Sequence, residues 1–132
     1  MQLLASFSII SHGLKEIIEG INLFNRADFF SAHDFFEEMW LESEKADKLF
    51  FQGLVQVSVG CYHLICGNYK GAFSQLSKGK TKLKNYLPSH GNIDLISLLN
   101  NIDLLLIELD ITISNKENKI DFDKIPSIKT LL

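Results

Sequence analysis

The chain has 132 residues, of which 46% are hydrophobic and 22% charged. These are the proportions of one globular domain, and they exclude a wholly disordered or fibrous chain. Thirteen basic residues against sixteen acidic ones leave a formal net charge of −3, so no basic field gathers phosphate backbones and no nucleic-acid partner is expected.

The stretch 53–67 is the longest mostly apolar one, but Gln56 and His63 interrupt it and it is too short to cross a bilayer, so no membrane partner is expected either. Met1 to Ile10 are apolar without a basic leader, and the first lysine is Lys15. No secretory signal is read there, which points to an intracellular protein. Cys61 and Cys66 fall five residues apart on different faces of one helical run, an awkward geometry for a bridge. They read as buried, reduced thiols.

From Lys15, the residues Ile17, Ile18, Ile21 and Phe24 recur at helical spacing until turn residues gather at Asn25 to Asp28. Asp28 is placed to cap a second helix that runs to about Ser43. Phe29, Ala32, Phe36 and Met39 form its core stripe, and Asp34, Glu38 and Glu42 its wet one. Between them lies a third stripe of Phe30, His33, Glu37, Trp40 and Glu44. The aromatic cluster Phe29, Phe30, Phe35 and Phe36 reads as core, with a dimer contact as the alternative.

A short polar turn leads into a long helix, Leu49 to Cys66, with Phe50, Leu54, Val57, Cys61 and Leu64 inward and Gln52, Gln56, Val59 and His63 on a neighbouring face. Gly67 and Asn68 form a stop and a new cap. The fourth helix runs to about Tyr86, small at Gly71 and Ala72, and ends before Pro88 and Gly91. Its lysines Lys78, Lys80, Lys82 and Lys84 read as a solvated face, with an anionic partner as the alternative.

A fifth helix spans Ile93 to Ile111, with Leu95, Leu98, Leu99, Ile102, Leu105, Leu106 and Leu109 inward. Beyond Thr112 the residues Ile120, Phe122, Ile125 and Pro126 suggest an extended tail lying on the bundle. His12 and His90 read as isolated surface imidazoles. No internal repeat, low-complexity segment or strand alternation is read. The expected architecture is an all-α, single-domain bundle of about five helices over residues 1–111, with an antiparallel hairpin at its centre and a polar, extended C-terminal tail over 112–132.

The hairpin carries the chemistry. Helices two and three are joined by so short a turn that they must pack antiparallel, and positions whose numbers sum to about 92 then lie opposite each other. Trp40 falls opposite Gln52, Glu37 opposite Gln56 or its neighbour, and His33 between Val59 and His63. The candidate polar cluster is therefore His33, Glu37, Trp40, Gln52, Gln56 and His63.

Three readings follow from this cluster. His33 and Glu37 at i, i+4, with His63 as a third ligand, would suit a divalent transition metal with an open position and so a metal-dependent hydrolase. Alternatively, Glu37 would orient His33 for general acid-base work, although no nucleophile accompanies them. In the third reading the cluster is a buried polar network that satisfies its own hydrogen bonds and fixes helix register, needing no cofactor.

The order His33-Asp34-x-x-Glu37-x-x-Trp40, then Gln52-Gly53-Leu54-Val55-Gln56, Tyr62-His63, Gly67-Asn68 and Gly71-Ala72 resembles the domain of unknown function 309 family over about residues 20 to 87. Asp34 stands where that family usually shows Glu, and Leu41 where Arg is frequent after the Trp. The resemblance implies a compact all-helical fold with members in bacteria, archaea and plastids, and it implies no established activity. Abundant Phe, Ile, Lys and Asn would suit a low-GC bacterium or an organelle, hence a bacterial cytoplasm or plastid stroma. The expected role is a binding or protein-interaction module, as a homodimer or with a protein partner.

Overall fold

In the computed structural model, residues 17–116 and 119–131 are described. Helix α1 is helical over 17–25, α2 spans Phe29–Glu42, α3 Lys48–Ile65, α4 Tyr69–Leu83 and α5 Leu95–Ser114. Single 3₁₀ turns precede α3 at Lys45–Asp47 and follow α4 at Lys84–Tyr86. The start of the first helix, His12 and the apolar residues Met1 to Ile10 lie outside the described residues.

The caps at Asp28 and Asn68 follow the sequence signals, whereas Asp94, expected inside a fifth helix starting at Ile93, caps that helix instead. Asp28, Asn68 and Asp94 each accept a backbone N–H from three residues on, at 3.3, 3.0 and 3.1 Å, satisfying one of the orphan donors at a helix start. The inward faces predicted for α2 and α3 are the observed ones, while Ile18 of the first helix's apolar pattern is exposed and the core face of α4, at Leu76, has no counterpart in the sequence reading. Phe24, Phe36, Phe50, Leu54, Leu64, Leu76, Leu98, Ile102 and Leu105 are among the fully buried side chains. Leu106 is half-buried at the edge of the core, and the phenylalanine cluster divides: Phe29 and Phe36 are core, Phe35 is half-buried and Phe30 exposed.

An internal repeat, which the sequence does not announce, organises the bundle. The segment 17–42 is matched by 57–82 with an offset of forty residues. At the first turn Ala27 N donates to Phe24 O (2.9 Å), Asp28 N to Leu23 O (2.9 Å) and Ala32 N to Asp28 O (3.0 Å). At the second, Gly67 N donates to Leu64 O (3.0 Å), Asn68 N to His63 O (2.8 Å) and Ala72 N to Asn68 O (2.9 Å). Ala27 and Gly67 both have positive φ, 64° and 80°, which is the helix-ending left-handed residue of a Schellman-type stop.

The packing repeats as well. A Cβ on Gly20 would sit 2.6 Å from the Phe36 ring, and one on Gly60 would sit 2.7 Å from Leu76, so in each hairpin a glycine lets the second helix close on the first at the same place. Few residues are identical between the copies, Gly20/Gly60 and Ala32/Ala72 among them, which is why a reading by residue identity finds no repeat. Such a hairpin cannot bury its apolar face alone; stacking supplies the core. Accordingly α3 packs between α2 and α4, and α4 packs against α5.

Two further differences from the sequence reading lie beyond α4. Ser89–His90 and Ile93–Asp94 form a two-residue antiparallel ladder, β1 and β2, turned by Gly91 and Asn92, both at positive φ (54° and 64°), as a tight hairpin of this kind requires. The tail adds to it. Thr130 bridges Ile93, Asp94 N donates to Lys129 O and Leu131 N to Asn92 O. The Asn25 side chain clasps the tail backbone from the end of α1, donating to Ile128 O at 2.9 Å and accepting from Ile128 N at 2.8 Å.

His90 is not isolated. Its Nε2 lies 2.8 Å from Asp47 Oδ1, and its ring packs on Phe50 and Tyr86. Tyr86 Oη donates to Ala46 O at 2.7 Å, so the segment after α4 fastens the turn before α3. The cysteines also differ from expectation: Cys61 is buried but Cys66 is exposed at the end of α3, where the chain turns outward. Burial pushes the Cys61 thiol pKa far up.

Candidate functional site

The exposed residues of α2 include Phe30, Asp34, Glu38 and Leu41, the i, i+4, i+8, i+11 course of one helix stripe, with Glu37 half-buried beside it. Phe30 is 57% exposed and Leu41 is exposed too. The helix carries four carboxylates, Asp34, Glu37, Glu38 and Glu42, and no Lys or Arg. None of the four is in the first turn, where the helix dipole would favour them, and Glu42 is in the last, where it does not. Local helix energetics do not account for this charge.

His33 stands between two of these acids. Its Nε2 is 2.9 Å from Glu37 Oε2 and its Nδ1 is 3.3 Å from Asp34 Oδ1, an arrangement in which both nitrogens donate only when the ring is doubly protonated. The His33 and Glu37 side chains are 24% and 44% exposed, so the pair lies at the rim of the α2/α3 seam rather than sealed within it. The Phe30 ring extends the cluster, 5.8 Å from the imidazole and 5.9 Å from the ring of Tyr62 on α3. Phe30 opposite Tyr62 is the pairing that the sum of 92 gives.

The rest of the predicted cluster separates. Gln56 accepts from Lys82 Nζ at 2.8 Å, on the α4 side of α3. His63 Nδ1 lies 3.4 Å from Asn68 Nδ2 at the next turn. Gln52 is half-buried on α3. Trp40 is half-buried beneath Lys48, whose Nζ lies 5.9 Å from the indole centroid and donates to Trp40 O (2.5 Å) and Leu41 O (3.1 Å). Lys48 thus closes the C-terminal end of α2, where a cation is favoured. The lysine run of α4 also disperses: Lys82 is held by Gln56 and Lys80 by Asp103.

Tyr62, Asp34 and Lys48 are the site residues that the sequence pattern passed over. Tyr62 is one position from the expected His63, and the ring pairing across the seam is what picks it out.

Among the described residues, His33, Asp34 and Glu37 could hold a metal ion, their ligand atoms all lying within 4.8 Å of one another. His63 does not join them. Because Asp34 and Glu37 face opposite edges of one imidazole, an ion on either ring nitrogen has one carboxylate close and the other on the far edge. The site is an open one with few protein ligands. Two clefts elsewhere, one between α1 and the tail at Ile17, Asn22, Asn25 and Ile128, the other at Asn68, Tyr69 and Thr112, include none of these residues. No helix of the described chain is long and apolar enough to cross a membrane.

The fold and site define a helical-hairpin repeat protein with an acidic, aromatic-edged face on the second helix of its first hairpin. Residues 17–74 match the family model described as Domain of unknown function (DUF309), and over that stretch the chain is similar to this family. The match takes in the whole first hairpin, α3 and the start of α4. No curated protein matches the chain.

Proposed function

We propose that the protein is an interaction module that docks a partner polypeptide on the outward stripe of α2 and the adjoining edge of α3. One observation carries the reading, and the repeat supplies its control. Phe30, Asp34, Glu38 and Leu41 of α2 occupy the positions that Lys70, Ser74, Lys78 and Thr81 occupy in α4. Both helices solve the same packing problem, and only α2 turns apolar side chains outward. Phe30 touches His33 and Tyr62 with one edge, yet it and Leu41 keep more than half of their surface exposed, which leaves both available to something outside the fold. Carboxylates between the two apolar anchors suit a segment that is basic and amphipathic, with apolar groups at both ends of the contact.

The test is an NMR titration of the isotopically labelled full chain with a synthetic amphipathic helical peptide of Lys and Leu. Amide shifts are expected along 30–41 and at Tyr62, and they are lost when Phe30→Lys and Leu41→Thr install the α4 residues. Shifts elsewhere, or shifts that survive the double substitution, would reject the reading.

A second reading rests on the convergence of His33, Asp34 and Glu37 within 4.8 Å: an open divalent-ion site, the precondition for a metal-dependent hydrolase. Stabilisation of the purified chain by zinc or manganese that disappears in His33→Gln would support it. Equal stabilisation of both proteins would remove it.

A further inference from the structure

Helix α5 closes the stack among the described residues, and its far side is wrong for an end. Terminal elements of stacked hairpins present a polar outer face. Here Ile96, Leu104, Ile107 and Ile111 are each between 51% and 62% exposed. With successive residues a little over a quarter turn apart, these four and Asn100 lie within an arc of about 80°, an apolar stripe along nearly the whole helix that only Asn100 interrupts. The outward face of α4, with Lys70, Ser74, Lys78 and Thr81, carries nothing comparable.

We infer that this stripe is a self-association face, on which α5 packs antiparallel against α5 of a second copy of the chain. The charges at its border favour that occupant. Asp103 and Asp110 lie along one edge of the stripe and Glu108 along the other. Asp103 is paired with Lys80, and Glu108 with Lys124 at 3.0 Å, while Asp110 is exposed and has no ion pair among the described residues. A two-fold axis perpendicular to the helix, passing between Leu104 and Ile107, sets each of these opposite the other and brings like edges together, as an isologous contact must. Lys80 of one copy then comes beside Asp110 of the second, twice over by symmetry.

The border of the stripe carries both signs only because α4 and the tail bring Lys80 and Lys124 beside the acids of α5, so a second copy meets Asp110 with the Lys80 of its own α4. A 20-residue helix is about 30 Å long, and a contact one helix wide along that length belongs at the small end of specific interfaces. The association is therefore a weak, concentration-dependent one.

Sedimentation equilibrium of the full chain across a concentration series tests this. The apparent mass is expected to climb from the 15.0 kDa of one chain toward twice that value. Ile107→Lys and, separately, Leu104→Lys return it to a single chain at every concentration, with the thermal midpoint of the parent at high dilution, because both side chains are exposed in the single chain. Asp110→Lys weakens the dimer several-fold at low salt. A single-chain mass throughout for the unaltered protein would overturn the inference, whatever else occupies the stripe. So would a dimer indifferent to Ile107→Lys, or one broken by Phe30→Lys instead.

Discussion

Ala27 and Gly67 are the same position of the fold, forty residues apart: each ends its helix in a left-handed backbone, at φ 64° and φ 80°, and each is followed by a side-chain cap, Asp28 or Asn68. Glycine holds that conformation without cost, whereas an L side chain is disfavoured there by roughly 1–2 kcal/mol. Ala27→Gly is therefore expected to stabilise the protein by about 1 kcal/mol, part of the relief being offset by the greater freedom of glycine in the unfolded chain. Gly67→Ala should cost about the same. Thermal unfolding of the two variants, moving in opposite directions by about 3 °C, would check the equivalence of the two turns.

The His33–Glu37 pair supplies a second expectation. At 24% and 44% exposure, an i, i+4 pair on a helix surface is worth only about 0.5 kcal/mol. Denaturant melts of His33→Gln and Glu37→Gln should each differ from the parent by less than about 1 kcal/mol. A loss of 3 kcal/mol or more would mean that the pair is a buried structural network, and the docking face would then lose its polar centre as a recognition element.

Cys61 and Cys66 should part company chemically. Cys66 is exposed, whereas Cys61 is buried and its thiol is held in the neutral form by desolvation. In the native protein a thiol reagent should modify one cysteine rapidly, Cys66, and reach Cys61 only on unfolding. The sign of the pH effect follows from the raised folded-state pKa. As pH climbs past the ordinary thiol value of roughly 8.5, the unfolded chain ionises at Cys61 and the folded chain does not. Stability from this group is thus full below that pH and declines above it. Cys61→Ala should flatten the alkaline decline measured by denaturant melts.

What could be read in the sequence was whatever depends on local spacing. Helix boundaries, the Asp28 and Asn68 caps and the inward faces follow from periodicity, because burial of one stripe dictates it. The seam register was legible too: a short turn permits one antiparallel pairing, and Phe30 meets Tyr62 as the arithmetic requires. Which way a polar residue leaves that seam was not. Gln56 goes to Lys82, and His63 to Asn68, because α4 offers partners from a part of the chain that periodicity in α3 knows nothing of. The repeat was hidden for a related reason. It is conserved in backbone hydrogen bonds and in pairs such as Gly20 with Phe36 and Gly60 with Leu76, where the shape of the pair is kept and the identity of the larger residue is not.

Asn25 is where the tail is fastened, and its removal should show how far the tail depends on a single side chain. Its amide donates to Ile128 O and accepts from Ile128 N, replacing the two bonds that a neighbouring strand would make. Ile128 and Ile120 are buried, so the tail also has apolar contacts, and loss of the clasp need not release it entirely. Asn25→Ala removes two part-buried hydrogen bonds and leaves a backbone donor and acceptor to find water, a cost of about 1–3 kcal/mol. That cost falls on the tail first, because its remaining backbone bonds, Lys129 O with Asp94 N and Leu131 N with Asn92 O, lie at the β1/β2 hairpin and not on α1. Hydrogen exchange should therefore accelerate at Ile128 by tenfold or more, the rate change corresponding to at least about 1.4 kcal/mol. Protection within α3 and α4 should change less, since global stability falls by no more than the tail contributes. Uniform acceleration across all five helices would instead mean that the tail and bundle unfold as one cooperative unit.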